Sequence, residues 1–143
     1  MSIQTTSGTD ATISMVNGVN KIANPVKSTL GPKGRTVMIM TGPGGPSITK
    51  DGVSVAKDAY DLPDKQERMS AELVYQAASK TNDIAGDGTT TATVLTQALI
   101  NEGVKSKNLN CNPMSINKGM NQALKVVIKE LKSMAHDCSS EKE

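Results

Sequence analysis

The chain has 143 residues, enough for one domain around one hydrophobic core. Its formal charge of +2 comes from interspersed acidic and basic residues, and Phe and Trp are absent, so it offers nucleic acid neither a basic block nor an aromatic stacking platform. The core must be built from Leu, Ile, Val, Ala and some of the eight Met, a mixture that packs adaptably and gains from support by another surface.

The first element predicted is a helix in which Ile13, Val16, Val19, Ile22, Ala23, Val26 and Leu30 recur at helical spacing, with Thr9 or Asp10 as its cap. Pro25 falls inside that pattern, where it removes a backbone hydrogen bond and should kink the helix, and Gly31-Pro32 stops it. Residues 36–40 and 47–50 read as two short strands joined by the turn Thr41-Gly-Pro-Gly-Gly-Pro46, a small β-hairpin. A helix is expected from Gly52 to Asp58, broken near Pro63. A longer one runs from Asp64 to Asp83, with Met69, Leu73, Val74, Ala77 and Ala78 on its inner side.

Next comes a helix from Thr89 to about Lys105, with Val94, Leu95, Ala98 and Leu99 facing inward. Asn112-Pro113 starts the last helix. Its stripe is Met120, Ala123, Leu124, Val127, Ile128, Leu131 and Met134, and Lys118, Lys125, Lys129, Glu130 and Lys132 form a solvated opposite face. Residues 1–135 form the main body, and 136–143 are a polar tail.

Residues 86–91, Gly-Asp-Gly-Thr-Thr-Thr, stand where a polar segment turns into a helix. A helix start supplies unsatisfied N–H groups and a positive dipole end, which favour anions. Gly86 and Gly88 let backbone approach a ligand closely. Asp87 is the kind of oxygen ligand Mg²⁺ takes together with substrate phosphates. Thr89, Thr90 and Thr91 add N–H and O–H donors. A plain helix cap is the competing explanation, although a cap needs one side chain rather than three β-branched ones.

Two other segments suit the same ligand. Leu30-Gly-Pro-Lys-Gly-Arg35 is a tight loop after a helix, which can also be read as an ordinary helix stop. Thr49-Lys-Asp-Gly52 places Lys50, suited to phosphate oxygen, beside Asp51, suited to orienting or deprotonating water; the alternative is a turn with an Asp cap. The P-loop pattern is absent. Cys111 and Cys138 have no metal-ligand spacing. His136 lies two residues from Cys138, a separation at which helix side chains do not face each other, so both read as a reduced thiol and an exposed imidazole.

Residues 1–10 lack the basic-then-apolar pattern of a signal peptide, and no apolar run approaches the ~18 residues a bilayer span needs, so a cytoplasmic protein is expected.

Residues 30–35, 48–57 (Ile-Thr-Lys-Asp-Gly-Val-Ser-Val-Ala-Lys) and 78–95 resemble the group I chaperonins, the GroEL-type 60-kDa family. The resemblance extends from about Ala11 to Cys138 and includes Asn112-Pro-Met114. It implies a mainly α fold, a helical bundle with a small β-hairpin like the family's equatorial domain, here its N-terminal portion. It also implies ATP and Mg²⁺ as cofactors, with K⁺ as a further candidate. Thr29, Leu30, Gly31 and Pro32 would cover the adenine nucleotide. Lys50 and Asp51 would lie near the γ-phosphate, with Asp51 acting catalytically on the water. Asp87 would bind the metal, and Gly88, Thr89, Thr90 and Thr91 the phosphates.

The partners implied are other chaperonin subunits in a double ring, unfolded protein through domains outside these residues, and a co-chaperonin. Neither nucleic acid nor a membrane is expected as a partner. A family member is several times longer, and these residues end about where its intermediate domain would begin. They lack the family's second catalytic aspartate, so the 143 residues alone are expected to hydrolyse ATP poorly. The sequence also differs from the family at Pro25, at the hairpin tip Gly42-Pro-Gly-Gly-Pro46, and by one extra residue near Pro63. Two other readings are a truncated or split non-catalytic subunit that associates with chaperonin chains, and an unrelated phosphate-binding enzyme should the three motifs not converge.

Overall fold

A run of small and β-branched residues on one side of the first helix sets the architecture. In a computed structural model, which describes residues 5–40, 45–59 and 62–136, α1 (Gly8–Ser28) buries Gly18, Val19, Ile22, Ala23 and Val26. Two strands follow, β1 (Val37–Met40) and β2 (Pro46–Thr49), then four helices: α2 (Gly52–Ala59), α3 (Lys65–Ala85), α4 (Thr89–Asn108) and α5 (Pro113–Met134). The strands pair antiparallel, with Val37 opposite Thr49 and Met40 opposite Pro46. The turn 41–44, Tyr60 and the tail from 137 onward, including Cys138, lie outside the described residues.

The chain divides into two units, Met1–Glu102 and Gly103–Glu143. In the first, α1 and α3 come so close that a Cβ on Gly18 would stand 2.9 Å from the Cα of Glu67 and collide with its carbonyl. Only glycine permits this approach. Val19, Ile22, Val26, Val55, Ala56, Ala71 and Val74 form the core that results, with Val37, Ile39, Leu62, Tyr75 and Ile100 packed against it. Each fully buried Val or Ile contributes roughly 1.5–3 kcal/mol. Beside that core, the Lys21 ammonium pairs with the Glu67 carboxylate at 2.5 Å.

Caps fix the helix starts. The Asp64 carboxylate accepts from the N–H groups of Gln66 (2.8 Å) and Glu67 (3.0 Å), opening α3 one residue after Pro63. Those backbone hydrogen bonds, to Glu67 first and Gln66 second, hold its pKa below the usual carboxylate value. Gly86, in the left-handed conformation at φ 70°, closes α3.

Several expectations need correction. α1 starts after Ser7 rather than after Thr9 or Asp10, because the helix takes in Gly8 and Thr12 Oγ1 bonds back to the Gly8 carbonyl. Ile13 and Leu30 are exposed, since the buried arc of α1 is limited to the stretch facing α2 and α3. Pro25 lies inside α1 as expected, and the helix ends at Ser28, whose hydroxyl donates to the Pro25 carbonyl at 2.7 Å.

On α3, Ser70, Ala71, Val74 and Ala78 are buried, whereas Met69 and Leu73 are exposed and line an open groove with Met15 and Ala11 of α1. On α4, Leu95, Ala98 and Leu99 face outward and Val94 is half-buried, while Thr93 and Gln97 are the buried residues. A polar stripe spaced like an apolar one faces α1, so ranking residues by hydrophobicity selected the wrong side.

In the second unit, Asn112 caps α5 by accepting from the Met114 N–H at 2.9 Å, with Pro113 in the first turn. α5 is amphipathic as expected, yet it carries no buried residue, and Met120, Leu124, Val127, Ile128 and Leu131 are all exposed. Among the described residues no helix is long and apolar enough to cross a membrane.

Candidate functional site

The three sequence motifs each take up a tight local geometry. Thr29 caps the end of α1, its hydroxyl bonding the Val26 carbonyl at 2.7 Å. The loop then folds on itself: Gly31 has φ 81°, the Gly34 N–H donates to the Gly31 carbonyl (2.9 Å) and the Arg35 N–H to the Ser28 carbonyl (2.8 Å). Gly34 is obligatory there, because a Cβ would collide with the Thr29 carbonyl. Leu30, Gly31 and Pro32 are exposed on the outside of this turn.

The second motif joins β2 to α2. The Asp51 N–H donates to Thr49 Oγ1 (3.0 Å), and Asp51 Oδ2 accepts from the Ser54 N–H (3.0 Å) and the Ser54 hydroxyl (2.6 Å). Asp51 therefore caps α2, and the same bonds hold its carboxylate in one orientation. Lys50 is exposed beside it.

In the third motif Asp87 is exposed, and its Oδ1 accepts from the Gly88 N–H at 2.6 Å. Gly88 has φ 79° and starts α4, its carbonyl taking the first helical bond from the Ala92 N–H (2.9 Å). Thr89 and Thr90 are half-buried and Thr91 is exposed.

Two of these motifs meet at Gly52. A Cβ there would collide with Thr90 Oγ1 and lie 3.4 Å from Thr90 Cβ and 3.3 Å from Val26 Cγ1. The Lys50–Gly52 turn, the first turn of α4 and the last turn of α1 thus share one contact point, and Thr29 follows Val26 by three residues. Chemically, this corner offers an exposed lysine, the Asp51 carboxylate and a helix start rich in threonine, with Asp87 three residues before Thr90 in the chain. No cluster of three or more Asp, Glu, His or Cys side chains able to hold a metal occurs among the described residues. One carboxylate, Asp87, suits Mg²⁺ that takes its remaining oxygens from phosphate and water, rather than an all-protein cage.

Residues 22–143 match the TCP-1/cpn60 chaperonin family. The chain belongs to that family. Among solved structures, this chaperonin chain is similar to a group III chaperonin in the open state, at 31% identity and a TM-score of 0.78 over 94% of this chain and 26% of that one. It is also similar to the chaperonin gp146 from bacteriophage EL 2 (Pseudomonas aeruginosa), crystallised in the presence of ATP-BeFx. There the identity is 31% and the TM-score 0.77, over 92% of this chain and 22% of that one. The chaperonin chain thus spans about a quarter of the length of the structures it matches. Its mainly α fold with one small hairpin is that of a chaperonin equatorial domain.

Sequence reasoning missed Ser54, which orients Asp51, and the buried polar face of α4 with its partners Asn20 and Asn24 on α1. The recurrence of Thr90, Thr93, Gln97 and Asn101 at helical spacing was the available signal.

Proposed function

We propose that this chain is the ATP-binding equatorial segment of a chaperonin, acting in the cytoplasm in ATP-dependent protein folding. The meeting of the Lys50–Gly52 turn with the first turn of α4 supports this best: Gly52 admits no side chain against Thr90, so two loops suited to phosphate abut. The phage chaperonin it resembles was crystallised with ATP-BeFx, which adds support. On this reading Thr29, Leu30, Gly31 and Pro32 lie over the adenine nucleotide. Lys50 binds phosphate oxygen, and Gly88, Thr89, Thr90 and Thr91 donate to phosphates. Asp87 holds Mg²⁺, which neutralises phosphate charge when bound; K⁺ is a second cation of this reading. Asp51, held by Ser54, orients the water that attacks the γ-phosphate.

Calorimetric titration of Mg·ATP into the chain tests this. Saturable binding that Asp87→Ala abolishes is expected, and equal heats from both proteins would refute it. Turnover by the 143 residues should be slow; family-like rates that Asp51→Ala abolishes would overturn that expectation.

A second reading is favoured by α5, whose apolar stripe is exposed along its length. Here the chain is a non-catalytic subunit that associates with other chaperonin chains in a ring assembly, since large exposed apolar surface marks association. Size-exclusion chromatography alone and with a full-length chaperonin decides it. A stable monomer that elutes unchanged in both runs would count against association.

A further inference from the structure

Thr90, Thr93, Gln97 and Asn101 are spaced by three, four and four residues and so lie along one face of α4. Thr93 is fully buried and Gln97 is 8% exposed. The Thr93 hydroxyl is satisfied inside its own helix by the Thr89 carbonyl at 3.0 Å. Gln97 reaches across instead. Its Nε2 donates to Asn20 Oδ1 at 2.7 Å and to Asn24 Oδ1 at 2.9 Å, which uses both of its protons. Asn101 Nδ2 adds a third bond to Asn20 Oδ1 at 3.3 Å.

Asn20 and Asn24 are one helical turn apart on α1, so one amide is stapled to two successive turns of the facing helix. Apolar contacts are non-directional and tolerate sliding. A pair of hydrogen bonds to acceptors on successive turns does not, because a shift of one residue's rise, about 1.5 Å, carries the donor away from one acceptor and spoils the alignment with the other.

We propose that Gln97 is a positioning residue for the nucleotide corner: by stapling α4 to Asn20 and Asn24, it sets the height at which Thr90 stands beside Gly52. Thr90 precedes Gln97 by seven residues, two turns along the same face, and an unbroken helix transmits the register between them. Leu95, Ala98 and Leu99 face outward, and the half-buried Ile100 adds a non-directional apolar contact with the core that leaves the register to the amide bonds. The staple therefore fixes which N–H and hydroxyl groups of residues 89–91 point into the corner. This inference rests on the ATP reading for its functional consequence but not for the register itself.

The test uses the whole chain and two readouts: Mg·ATP affinity by calorimetry, and the nuclear Overhauser contact between Gly52 and Thr90. Gln97→Met keeps length and burial but removes both donors. It should weaken Mg·ATP binding about tenfold and abolish the Gly52–Thr90 contact while far-UV helix content is retained. Gln97→Glu should restore both readouts, since the Asn20 and Asn24 amides can rotate to donate to it.

A Gln97→Met protein that keeps the Gly52–Thr90 contact would overturn the proposal, whatever its affinity, as would failure of Gln97→Glu to rescue. Should the wild type bind no Mg·ATP, the ATP reading falls and the Overhauser contact alone decides the register. Should Gln97→Met not fold, Asn24→Ala, which removes one exposed acceptor, should weaken the same contact; an unchanged contact there would also overturn the proposal.

Discussion

Two of the helix contacts that α1 makes are of opposite chemistry, and the contrast explains how the first unit is organised. Towards α3 it presents Gly18 and apolar residues, and the backbones come together until a single Cβ would not fit. Towards α4 it presents Asn20 and Asn24, and the gap is bridged by amide side chains. Close apolar packing supplies stability, because buried area scales with free energy. Directional amide bonds supply register at modest net stability, each worth about 1 kcal/mol. The candidate site draws on both contacts: Val26 on α1 reaches Gly52 from the apolar core, and Thr90 reaches it from the amide-bridged helix.

Substitutions can break this contrast in graded steps. Ile22→Ala, at a fully buried core position, should cost about 3 kcal/mol in urea denaturation. A loss below about 1 kcal/mol would mean that the α1–α3 core is not the main source of stability. Gly18→Ala should follow at about 2 kcal/mol, because the new methyl meets Glu67 backbone rather than a side chain that can swing away. If Gly18→Ala were as stable as the parent, the two helices would have to stand further apart.

Asp64→Ala should have a smaller effect, and its pH dependence carries a definite sign. The Asp64 pKa is lowered in the folded state by the Glu67 and Gln66 N–H groups. Its contribution is therefore complete above the unfolded carboxylate value and disappears as pH falls through the lowered folded value. Thermal melts of the two proteins should differ at neutral pH and converge in strong acid; parallel curves throughout would show that the cap contributes nothing. Leu99→Ala should have the smallest effect, within about 0.5 kcal/mol, because Leu99 is exposed on α4. A larger loss would restore the apolar face of α4 to the role its composition suggested.

The helices and the hairpin were legible because their signals are local. Asp64, Asn112 and Pro113 announce helix starts, and a short β-rich run over 36–40 followed by a Gly/Pro turn announces the strands, whose residues 37–40 and 46–49 alternate between half-buried and exposed positions once paired. The candidate site was legible as three motifs for the same reason. What pattern reading got wrong was which side of a helix turns inward. Met69, Leu73, Leu95 and Leu99 are apolar and exposed, whereas Thr93 and Gln97 are polar and buried. Burial depends on which neighbour each residue meets.

The sequence by itself determined the number and order of elements, the caps that begin α3 and α5, and the family. Only the tertiary structure decided that Gly18 and Gly52 are close-contact points and that Asn20, Asn24 and Gln97 form one staple. The physical reason is range. Capping and periodicity act over a few residues, whereas the Gln97 amide and its partners are more than seventy positions apart and are joined only when the chain has folded.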